Sequence, residues 1–555
     1  MKYIIIGAVA GGASAAARLR RMDEQAEIVV FEKGDYISYA NCGLPYYIGN
    51  VINDRNALFV TNAISFKQRF AIDVRIQTVI TGIDPIAKTV TAMDLKSGNV
   101  YTETYDKLLL APGAEPIRPP LPGITLPGIV TLRNVMDTDS IKALVQQKQV
   151  KRVVVVGGGF IGLEMAENLH HIGLEVTVIE MGNQVLAPLD YPLAAMVQQH
   201  IRTKGVDLQL QTAVTSFEKK GEQLLINLNN GKQLTADLVV LSIGVRPDIS
   251  LAQHAGLTIG SAKGIWVNSF MQTSNESIYA VGDAIEFTNP ITGVSMNTYL
   301  AGPANKQGRI AADNMVLGNH KKYNGAVNTA IVKVFDLTVA ATGMPAKQLA
   351  NLQIAHQVST SHHSSHAGYY PGSQPLSIQL VFDPEQGRLY GAQIVGYDGV
   401  DKRIDVLSSM VQHNETIDDL TAYEQAYAPP FSSAKDPINM SGFVAENIMT
   451  DRLRVFYWDQ VAALDENTQL VDVRTAEEFA SGAIANAINI PLDELRNRMN
   501  ELPTNKRIAI YCQAGLRGYI GQRILRQRGF EQVMNLSGGY QLYKSCMQEQ
   551  GLLNE

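Results

Sequence analysis

The chain is 555 residues long, carries a net charge of −6, and contains 46% hydrophobic and 18% charged residues. At roughly 150 residues per domain, this length predicts three or four folding units, and the composition excludes a disordered or fibrous protein. The negative charge argues against a nucleic-acid-binding surface. Three cysteines, Cys42, Cys512 and Cys546, are too few for a disulfide scaffold, a multi-cysteine zinc site or an iron–sulfur cluster.

The apolar stretch at residues 3–17 has the composition of a secretory signal, with a small-residue cleavage-like site at residues 13–15. Glycines interrupt this stretch, and a similar segment recurs at residues 153–180, where a signal peptide has no reason to occur. No run approaches the ~18 apolar residues that span a bilayer. We therefore expect a cytoplasmic protein without a membrane segment, in a compartment where free thiols persist.

Residues 2–32 predict a strand–turn–helix–strand unit that binds a dinucleotide. A strand at residues 2–6 leads into a glycine turn, a helix at residues 13–22, and a second strand at residues 27–31. Such glycines let a pyrophosphate approach the helix N-terminus, and an acid after the second strand binds ribose hydroxyls. The turn departs from strict G-x-G-x-x-G, so a glycine turn without a ligand is the alternative. The candidate residues are Gly7, Ala10, Gly11, Gly12, Glu32 and Lys33.

The same pattern recurs with a strand at residues 153–156, a helix from Leu163 and a strand at residues 175–179. Its turn satisfies the dinucleotide fingerprint in full, with Gly157, Gly159 and Gly162. Glu180 follows the second strand, where a carboxylate favours a free ribose 2′-hydroxyl and repels a 2′-phosphate. This unit therefore predicts NADH rather than NADPH, and two sites in one chain predict two nucleotides that exchange electrons.

Two further apolar strands end in turns that suit a flavin. Residues 108–110 precede the second unit, and residues 278–281 lead to Asp283, where a carboxylate can accept from ribityl hydroxyls and a helix can follow. In this order, the segments resemble the FAD-containing pyridine nucleotide–disulfide oxidoreductase family. The resemblance implies an FAD domain at residues 1–149 and 246–322 and an NADH domain at residues 150–245. It also implies nucleotide contacts from Ala111, Gly113, Phe160, Ile161, Glu164, Gly244, Asp283 and Ala301.

After the second unit, strands at residues 330–334, 377–382 and 388–395 and a helix from Asp401 indicate another domain. This pattern of strands and a helix resembles the dimerisation domain of the same family, expected at residues 323–450, and the resemblance implies a homodimer. The histidines of this region lack the spacing of metal ligands, so we expect no metal site; they are His362, His363 and His366.

Two segments of the expected dimerisation domain resemble those that carry a pair of tyrosines over the cysteine of the partner subunit. We choose Tyr369 and Tyr427, with Tyr370 as an alternative to Tyr369. Phenols there would hydrogen-bond the substrate sulfur or donate a proton. Without the resemblance, these side chains would be ordinary core or interface aromatics.

Cys42 lies where disulfide reductases of the family carry a C-x4-C pair, yet no other cysteine occurs before Cys512. Its oxidised form is therefore a mixed disulfide, a persulfide or a sulfenic acid. Single-cysteine relatives include NADH peroxidases, NADH oxidases and coenzyme A–disulfide reductases. The peroxidases carry a histidine at the position of Ala10, so this chain favours thiol exchange over peroxide cleavage.

The first glycine turn and residues 38–46 resemble coenzyme A–disulfide reductases. The resemblance implies that coenzyme A is bound by Arg18, Arg21, Ser38, Asn41, Lys67 and Arg69. For Lys67 and Arg69, a solvated surface charge is an equal alternative.

A strand at residues 508–511 leads into Cys512, and the loop ends at Arg517 before a helix. With residues 470–479 and 536–540, this segment resembles a rhodanese domain, expected at residues 451–555. Backbone N–H groups of such a loop stabilise a thiolate and a persulfide. Related phosphatases use C-x5-R, so the C-x4-R spacing fits a sulfane sulfur better. Cys546 has no motif and is expected to be incidental.

The expected fold class is α/β, with two Rossmann-like nucleotide-binding domains, an α+β dimerisation domain and a C-terminal rhodanese-like α/β domain. The expected function is an FAD-dependent NADH:persulfide or polysulfide reductase that acts on coenzyme A persulfide or a related small persulfide through Cys42. Cys512 would load or relay sulfane sulfur. The alternatives are a coenzyme A–disulfide reductase with an auxiliary rhodanese domain and a sulfurtransferase with a flavin redox-sensing half. NADH oxidation by oxygen is expected only as a side activity.

Overall fold

The computed structural model describes residues 1–147 and 150–553. They form two compact units, residues 1–182 with 209–328, and residues 183–208 with the chain from Thr329 onward. No helix among these residues is both long and apolar enough to cross a membrane. The expected domain boundaries stay predictions, and the one at residue 149 lies outside the described residues.

The N-terminal segment contains the predicted strand–turn–helix–strand unit. Strands β1 (Lys2–Ile6) and β2 (Glu27–Phe31) have the predicted bounds, and helix α1 (Gly11–Met22) begins two residues earlier, because its first turn includes the glycines. The remaining elements up to residue 116 are α2 (Leu44–Ile48), α3 (Ala63–Phe70), β3 (Asp73–Arg75), β4 (Thr78–Asp84), β5 (Thr89–Asp94), β6 (Val100–Thr104), β7 (Lys107–Leu110) and β8 (Ala114–Pro116).

The second predicted strand–turn–helix–strand segment is also present, and its helix begins at Phe160 rather than Leu163, directly after the glycine turn. The elements from residue 129 to residue 254 are β9 (Ile129–Thr131), α4 (Val135–Val145), β10 (Arg152–Val156), α5 (Phe160–His171), β11 (Glu175–Ile179), α6 (Tyr191–Thr203), β12 (Asp207–Gln209), β13 (Val214–Lys220), β14 (Gln223–Leu228), β15 (Gln233–Ala236), β16 (Leu238–Leu241), β17 (Val245–Pro247) and α7 (Ser250–His254).

The segment after Asp283 differs from the expectation of a helix. A strand follows directly, because Ile285 and Phe287 alternate with polar residues at the period of a strand. The elements of this segment are β18 (Ile265–Trp266), β19 (Ile278–Ala280), β20 (Ile285–Thr288), β21 (Ser295–Met296) and α8 (Ala301–Leu317). The helix therefore begins 18 residues beyond the aspartate.

Two parallel sheets position the glycine turns of the first unit. One has the strand order β19–β7–β1–β2–β3, with Ile4 paired to Leu108 and Val29. In the other, β11, β10, β16 and β9 lie side by side, with Val154 paired to Thr177 and Val239. Both glycine turns follow the carboxyl end of a central strand, which is where open parallel sheets bind ligands.

The second unit contains an antiparallel sheet with the strand order β22–β23–β26–β25–β24 and helices against it. Its strands Pro375–Phe382 and Leu389–Gly396 are buried almost throughout, and the predicted strands and helix lie within one or two residues of their expected bounds. The elements are β22 (Ala330–Val334), β23 (Leu337–Gly343), α9 (Ala346–Asn351), β24 (Gln357–Ser364), β25 (Pro375–Phe382), β26 (Leu389–Gly396), α10 (Val400–His413), α11 (Ile417–Ala422) and α12 (Pro437–Met449).

The C-terminal part of this unit is a parallel sheet with the order β27–β31–β30–β28–β29, covered by helices. Apolar side chains on both faces of the sheet form its core, including Val471, Ile510 and Tyr511. The elements are β27 (Val455–Phe456), β28 (Thr468–Asp472), α13 (Ala476–Ala480), β29 (Ile488–Asn489), α14 (Leu492–Arg498), β30 (Arg507–Tyr511), α15 (Leu516–Gln527), β31 (Val533–Leu536) and α16 (Gly539–Glu549).

Candidate active site

A cavity of about 540 Å³ opens at the carboxyl ends of β1, β7 and β19. The predicted nucleotide residues that line it are Gly7, Ala10, Gly11, Glu32, Lys33, Ala111, Gly113 and Asp283. Gly12 is not in the lining, because it packs beneath the turn, where an added Cβ would lie 1.8 Å from the Gly7 carbonyl oxygen. Ala301, predicted to contact a nucleotide, lines a second cavity instead.

Backbone geometry explains the glycines of this turn. Gly7 has a φ of +96°, a conformation that residues with a side chain rarely adopt, and an added Cβ on Gly7 would lie 2.1 Å from the Ala111 carbonyl oxygen. The close contact between Gly12 and Gly7 brings α1 against β1. Gly11, the first residue of α1, lines the cavity, so a helix N-terminus lies beside it, as a pyrophosphate site requires.

Glu32 and Glu180 are held in the same way at equivalent places in the two nucleotide units. The Glu32 carboxylate accepts from the N–H groups of Ala8 (3.0 Å) and Gly34 (2.8 Å). The Glu180 carboxylate accepts from Gly158 (2.8 Å) and Gly182 (2.7 Å). Each carboxylate is thereby fixed beside a glycine turn, where it can accept from ribose hydroxyls.

Asp283 and Arg133 supply opposite charges to the 540 Å³ cavity. Burial raises the pKa of Asp283, and the nearby Arg133 guanidinium opposes that rise. Arg133 is held by a hydrogen bond from its Nε to the Ala114 carbonyl (2.6 Å). The glycine cradle, Glu32 and Asp283 together fit FAD. Sequence reasoning missed Arg133, because it follows a short strand that carries no glycine motif.

The second glycine turn has the same close helix–strand packing. An added Cβ on Gly162 would lie 2.0 Å from the Gly157 carbonyl oxygen, whereas one on Gly159 meets nothing within 4 Å. The open space at Gly159 and the fixed Glu180 fit NADH. Phe160 and Ile161 form the first turn of α5, and the Gly244 carbonyl accepts from the Ile117 N–H (3.0 Å).

Cys42 lies in a short turn, Asn41–Gly43, and lines a second cavity of about 610 Å³. Five residues predicted to bind coenzyme A also line it, namely Arg18, Arg21, Ser38, Asn41 and Arg69. Lys67 is exposed on α3 and is not part of the lining. Four residues line both cavities, so the two cavities adjoin beside Cys42; they are Val9, Ala10, Tyr39 and Asn41.

The positive charges of the Cys42 cavity differ in their availability. Arg18 donates from Nε to Asp313 (2.6 Å), so that charge is already paired. Arg21 and Arg69 are exposed. Helix α8 contributes Asn305 and Arg309 to the same cavity. These two residues lie far along the chain from Cys42, and no local motif marks them.

Acidic groups surround the Cys42 thiol. Cys42 is exposed, yet desolvation of its thiol by the surrounding protein raises its pKa, and the charges of Glu164 and Asp283 raise it further. Burial raises the pKa of Glu164 to about 7. The Tyr46 hydroxyl donates to Glu164 Oε1 (3.4 Å). Glu164 therefore changes charge near neutral pH within electrostatic reach of Cys42.

The predicted tyrosine pair forms a direct contact in the second unit. The hydroxyls of Tyr369 and Tyr427 lie 2.8 Å apart, and both side chains are exposed. Tyr370 instead packs its ring edge-on against His366, with ring centroids 5.6 Å apart. Tyr369 is thus the neighbour of Tyr427, and the role of the pair over a partner's cysteine stays a prediction.

The Cys512 loop lies between the carboxyl end of β30 and the start of α15. Cys512 is almost fully buried, and the Gly515 N–H donates to its Sγ (3.1 Å). The Tyr540 N–H donates to the Cys512 carbonyl (2.8 Å), which ties the loop to α16. A thiolate or persulfide at Sγ would be stabilised by this backbone donor and by the N-terminus of α15.

Arg517 does not extend freely into the loop. Its Nη1 and Nη2 donate to Glu478 Oε2 (2.6 Å) and Oε1 (2.7 Å). Sequence reasoning assigned Arg517 to the loop but missed Glu478, which lies 39 residues earlier on α13. Beneath the loop, Arg474 forms a buried ion pair with Asp472 (2.7 Å). Cys546 is buried in α16, and burial raises the pKa of its thiol.

Three parts of the chain match known protein families. Residues 1–308 match the family described as pyridine nucleotide-disulphide oxidoreductase, and residues 329–437 match its dimerisation domain. Residues 458–546 match the rhodanese-like domain. These matches confirm the resemblance and the predicted fold class.

Individual proteins are similar to the whole chain or to most of it. A coenzyme A disulfide reductase of Staphylococcus haemolyticus is 34% identical over 447 residues, which are 80% of this chain and all of that protein. The structure of reduced Bacillus anthracis CoADR-RHD has a TM-score of 0.97 and 45% identity, covering 99% of this chain and 98% of that one. An NAD-dependent persulfide reductase from A. fulgidus has a TM-score of 0.92 and 38% identity, covering 98% and 100%.

Proposed function

This chain belongs to the pyridine nucleotide–disulphide oxidoreductase family, and on that premise we propose that it reduces coenzyme A persulfide or a related small persulfide or polysulfide with NADH. It is an oxidoreductase whose cofactors are FAD and a nicotinamide dinucleotide, as predicted. The observation that carries the proposal is the place of Cys42. This single thiol lies where a cavity that suits FAD adjoins one with exposed arginines.

The proposed reaction begins with a nucleophilic attack. The Cys42 thiolate attacks the outer sulfur of R–S–SH, so the Cys42 S–S bond forms as the donor S–S bond breaks and the thiol R–SH departs. When bound, FAD and NADH supply the electron pair that converts the Cys42 persulfide to thiolate and sulfide. Arg21, Arg69 and Arg309 are the exposed cations that would hold the phosphates of coenzyme A.

Cys512 supplies a second thiol, which we propose carries sulfane sulfur as a covalent persulfide. Its contact with the Gly515 N–H supports this role, because a backbone donor stabilises negative charge on sulfur. The match to a rhodanese-like domain supports it too. We further propose a homodimer, because the chain contains a dimerisation domain, and a cytoplasmic location, where free thiols persist.

Replacing Cys42 tests the proposed reaction. We expect Cys42→Ser to lower NADH-dependent sulfide release from coenzyme A persulfide at least ~1000-fold, because the nucleophile is lost. Sulfide release is followed together with NADH absorbance under anaerobic conditions. Cys546→Ser is the matched control and should keep full activity, since Cys546 is buried outside both cavities. Full sulfide release by Cys42→Ser would overturn the proposal.

A second candidate function is reduction of coenzyme A disulfide. The similarity to proteins described as coenzyme A disulfide reductases favours it. In that reaction Cys42 would form a mixed disulfide with coenzyme A rather than a persulfide. The two candidates are separated by kcat/KM for the disulfide and for the persulfide on one enzyme preparation; a higher value for the disulfide would replace the proposed function with this one.

A further inference from the structure

At the Cys512 loop, the positive charge of each nearby arginine is paired with a carboxylate, although the C-x4-R sequence by itself suggests a free cation. We propose that Glu478 is a specificity-determining residue, which makes the loop accept sulfane sulfur from an alkyl persulfide and reject dianionic thiosulfate. This inference deepens the proposed function, because it rests on Cys512 being a sulfane-sulfur carrier and names the class of donor.

The first line of argument is the fixed position of Glu478. Both of its oxygens accept from Arg517, at 2.6 and 2.7 Å. One of them also accepts from the Thr475 N–H (3.0 Å), while the Thr475 hydroxyl accepts from the Glu478 N–H (3.2 Å). This capping box begins α13 and holds the carboxylate in place. Arg517 is therefore paired with a positioned carboxylate, while 34% of the Arg517 side chain and 33% of the Glu478 side chain stay exposed to solvent.

The second line of argument is the other arginine beneath the loop. Arg474 is buried and pairs with Asp472, which is also fully buried. Its guanidinium also donates to the Gln513 side chain (3.4 Å) within the loop and lies over the Tyr540 ring. Both arginines that contact this region are thus matched by carboxylates.

This charge balance distinguishes two donor classes. An alkyl persulfide carries at most one negative charge on its sulfurs, which the Gly515 N–H and the start of α15 can stabilise. Thiosulfate carries a second charge on its sulfonate, which would need an unpaired cation and would instead meet Glu478. Leu516 is 64% exposed directly after Gly515 and offers an apolar contact to an alkyl arm.

The proposed transfer balances without an outside reductant. The Cys512 thiolate attacks the outer sulfur of R–S–SH; the new Cys512 S–S bond forms, the donor S–S bond breaks, and R–S⁻ leaves. The proton of the donor stays on the transferred sulfur, giving Cys512–S–SH. With thiosulfate the same attack would release sulfite, so the two donors can be compared on one acceptor atom.

The test measures how fast each donor loads Cys512 in the full-length enzyme. The donors are pantetheine persulfide and thiosulfate, and peptide mass spectrometry separates a persulfide on Cys512 from one on Cys42. We expect the wild-type loop to react much faster with pantetheine persulfide. Glu478→Gln should raise the thiosulfate rate about tenfold and change the pantetheine persulfide rate less than about twofold.

Two further variants make the result specific. Glu477→Gln, the neighbouring exposed glutamate, should leave both rates unchanged. Adding Arg517→Gln to Glu478→Gln should return the thiosulfate rate to the wild-type level, because the released cation is removed again. Should Glu478→Gln lower Tm through loss of the cap, Glu478→Asp, which keeps the negative charge, must keep the wild-type donor ratio.

An unchanged donor ratio in a folded Glu478→Gln enzyme would overturn this inference, as would equal loading of the wild-type loop by both donors. NADH-dependent sulfide release through Cys42 is measured separately. Its persistence in Cys42→Ser removes the proposed function, while the donor ratio at Cys512 still decides the role of Glu478.

Discussion

At the scale of single residues, the surroundings of Cys42 determine how readily its thiol ionises. Desolvation and the charges of Glu164 and Asp283 all raise the pKa of this thiol. A thiolate is the nucleophile in sulfur exchange, so a raised pKa slows the free enzyme near neutral pH. Binding of a cationic group beside Cys42, or protonation of Glu164, would lower the pKa of Cys42 and increase the fraction of thiolate.

Glu164 gives this effect a pH dependence that can be measured. Because the pKa of Glu164 lies at about 7, its charge is present above pH 7 and absent well below it. We expect Glu164→Gln to lower the pKa of Cys42, since an amide lacks the negative charge that disfavours the thiolate. Alkylation of Cys42 by iodoacetamide should become several-fold faster above pH 7 and stay unchanged below pH 6.

The control for this change is Glu175→Gln, an exposed glutamate at the start of β11. Its alkylation profile should match that of the wild-type enzyme. A Glu164→Gln profile that also superimposes on the wild type would show that Glu164 does not influence Cys42.

At the scale of elements, the two glycine turns combine two separate tasks. In the turn between β10 and α5, one glycine brings the helix close to the strand, and another leaves room for the nucleotide. An added Cβ on Gly162 would lie 2.0 Å from a carbonyl oxygen, whereas one on Gly159 meets no protein atom within 4 Å. Gly159 has a φ of −79°, which alanine adopts readily.

Alanine substitutions separate these tasks. We expect Gly162→Ala to lower the free energy of unfolding by about 2 kcal/mol or more, because α5 must move away from β10. Gly159→Ala should leave Tm nearly unchanged but raise KM for NADH about tenfold, because the methyl group occupies the space for the pyrophosphate. Thermal unfolding and NADH kinetics of both variants test this separation of tasks. A lower Tm in Gly159→Ala but not in Gly162→Ala would contradict it.

At the scale of the whole molecule, the rhodanese part and the antiparallel sheet of the second unit are joined by polar contacts. His362 donates from Nε2 to the Gly538 carbonyl (3.0 Å) and accepts at Nδ1 from the Ser377 hydroxyl (2.8 Å). Gly538 lies two residues before Tyr540, whose N–H donates to the Cys512 carbonyl. The Tyr457 hydroxyl donates to the Val358 carbonyl (3.0 Å). The Cys512 loop is therefore supported from the neighbouring sheet.

The histidines at this junction make the second unit sensitive to acid. Burial lowers the pKa of His363 to about 4 and also lowers that of His362. Between pH ~6.5 and 4 the unfolded state binds a proton on His363 that the folded state does not, so stability falls as the pH falls through this window. The loss from His363 is at most about 3 kcal/mol.

We expect His363→Gln to reduce the drop in Tm between pH 7 and pH 5, because glutamine does not ionise and can bond Ser361 or Ser441 as the imidazole does. His413→Gln, at the exposed end of α10, is the control and should retain the wild-type drop. An equal drop in Tm in the wild type, His363→Gln and His413→Gln would exclude His363 as the titrating group.

The sequence by itself determined the features that depend on neighbouring residues. The two glycine turns with Glu32 and Glu180, the single Cys42 and the C-x4-R loop at Cys512 are each contiguous or nearly so. A backbone turn or a strand-to-helix junction is governed by local conformational preferences, so its residues can be recognised along the chain. These motifs were sufficient to predict the family, the cofactors and the rhodanese domain.

Only the tertiary structure decided which distant groups meet these motifs. Packing of α8 against α1 brings Arg309 to the Cys42 cavity, and an ion pair joins Glu478 of α13 to Arg517 of α15. Likewise Tyr369, rather than Tyr370, contacts Tyr427. Such partners are separated by tens to hundreds of residues and are selected by burial and charge pairing across elements. The chemistry was therefore readable from the chain, whereas the balance of charge around each thiol arose from the fold.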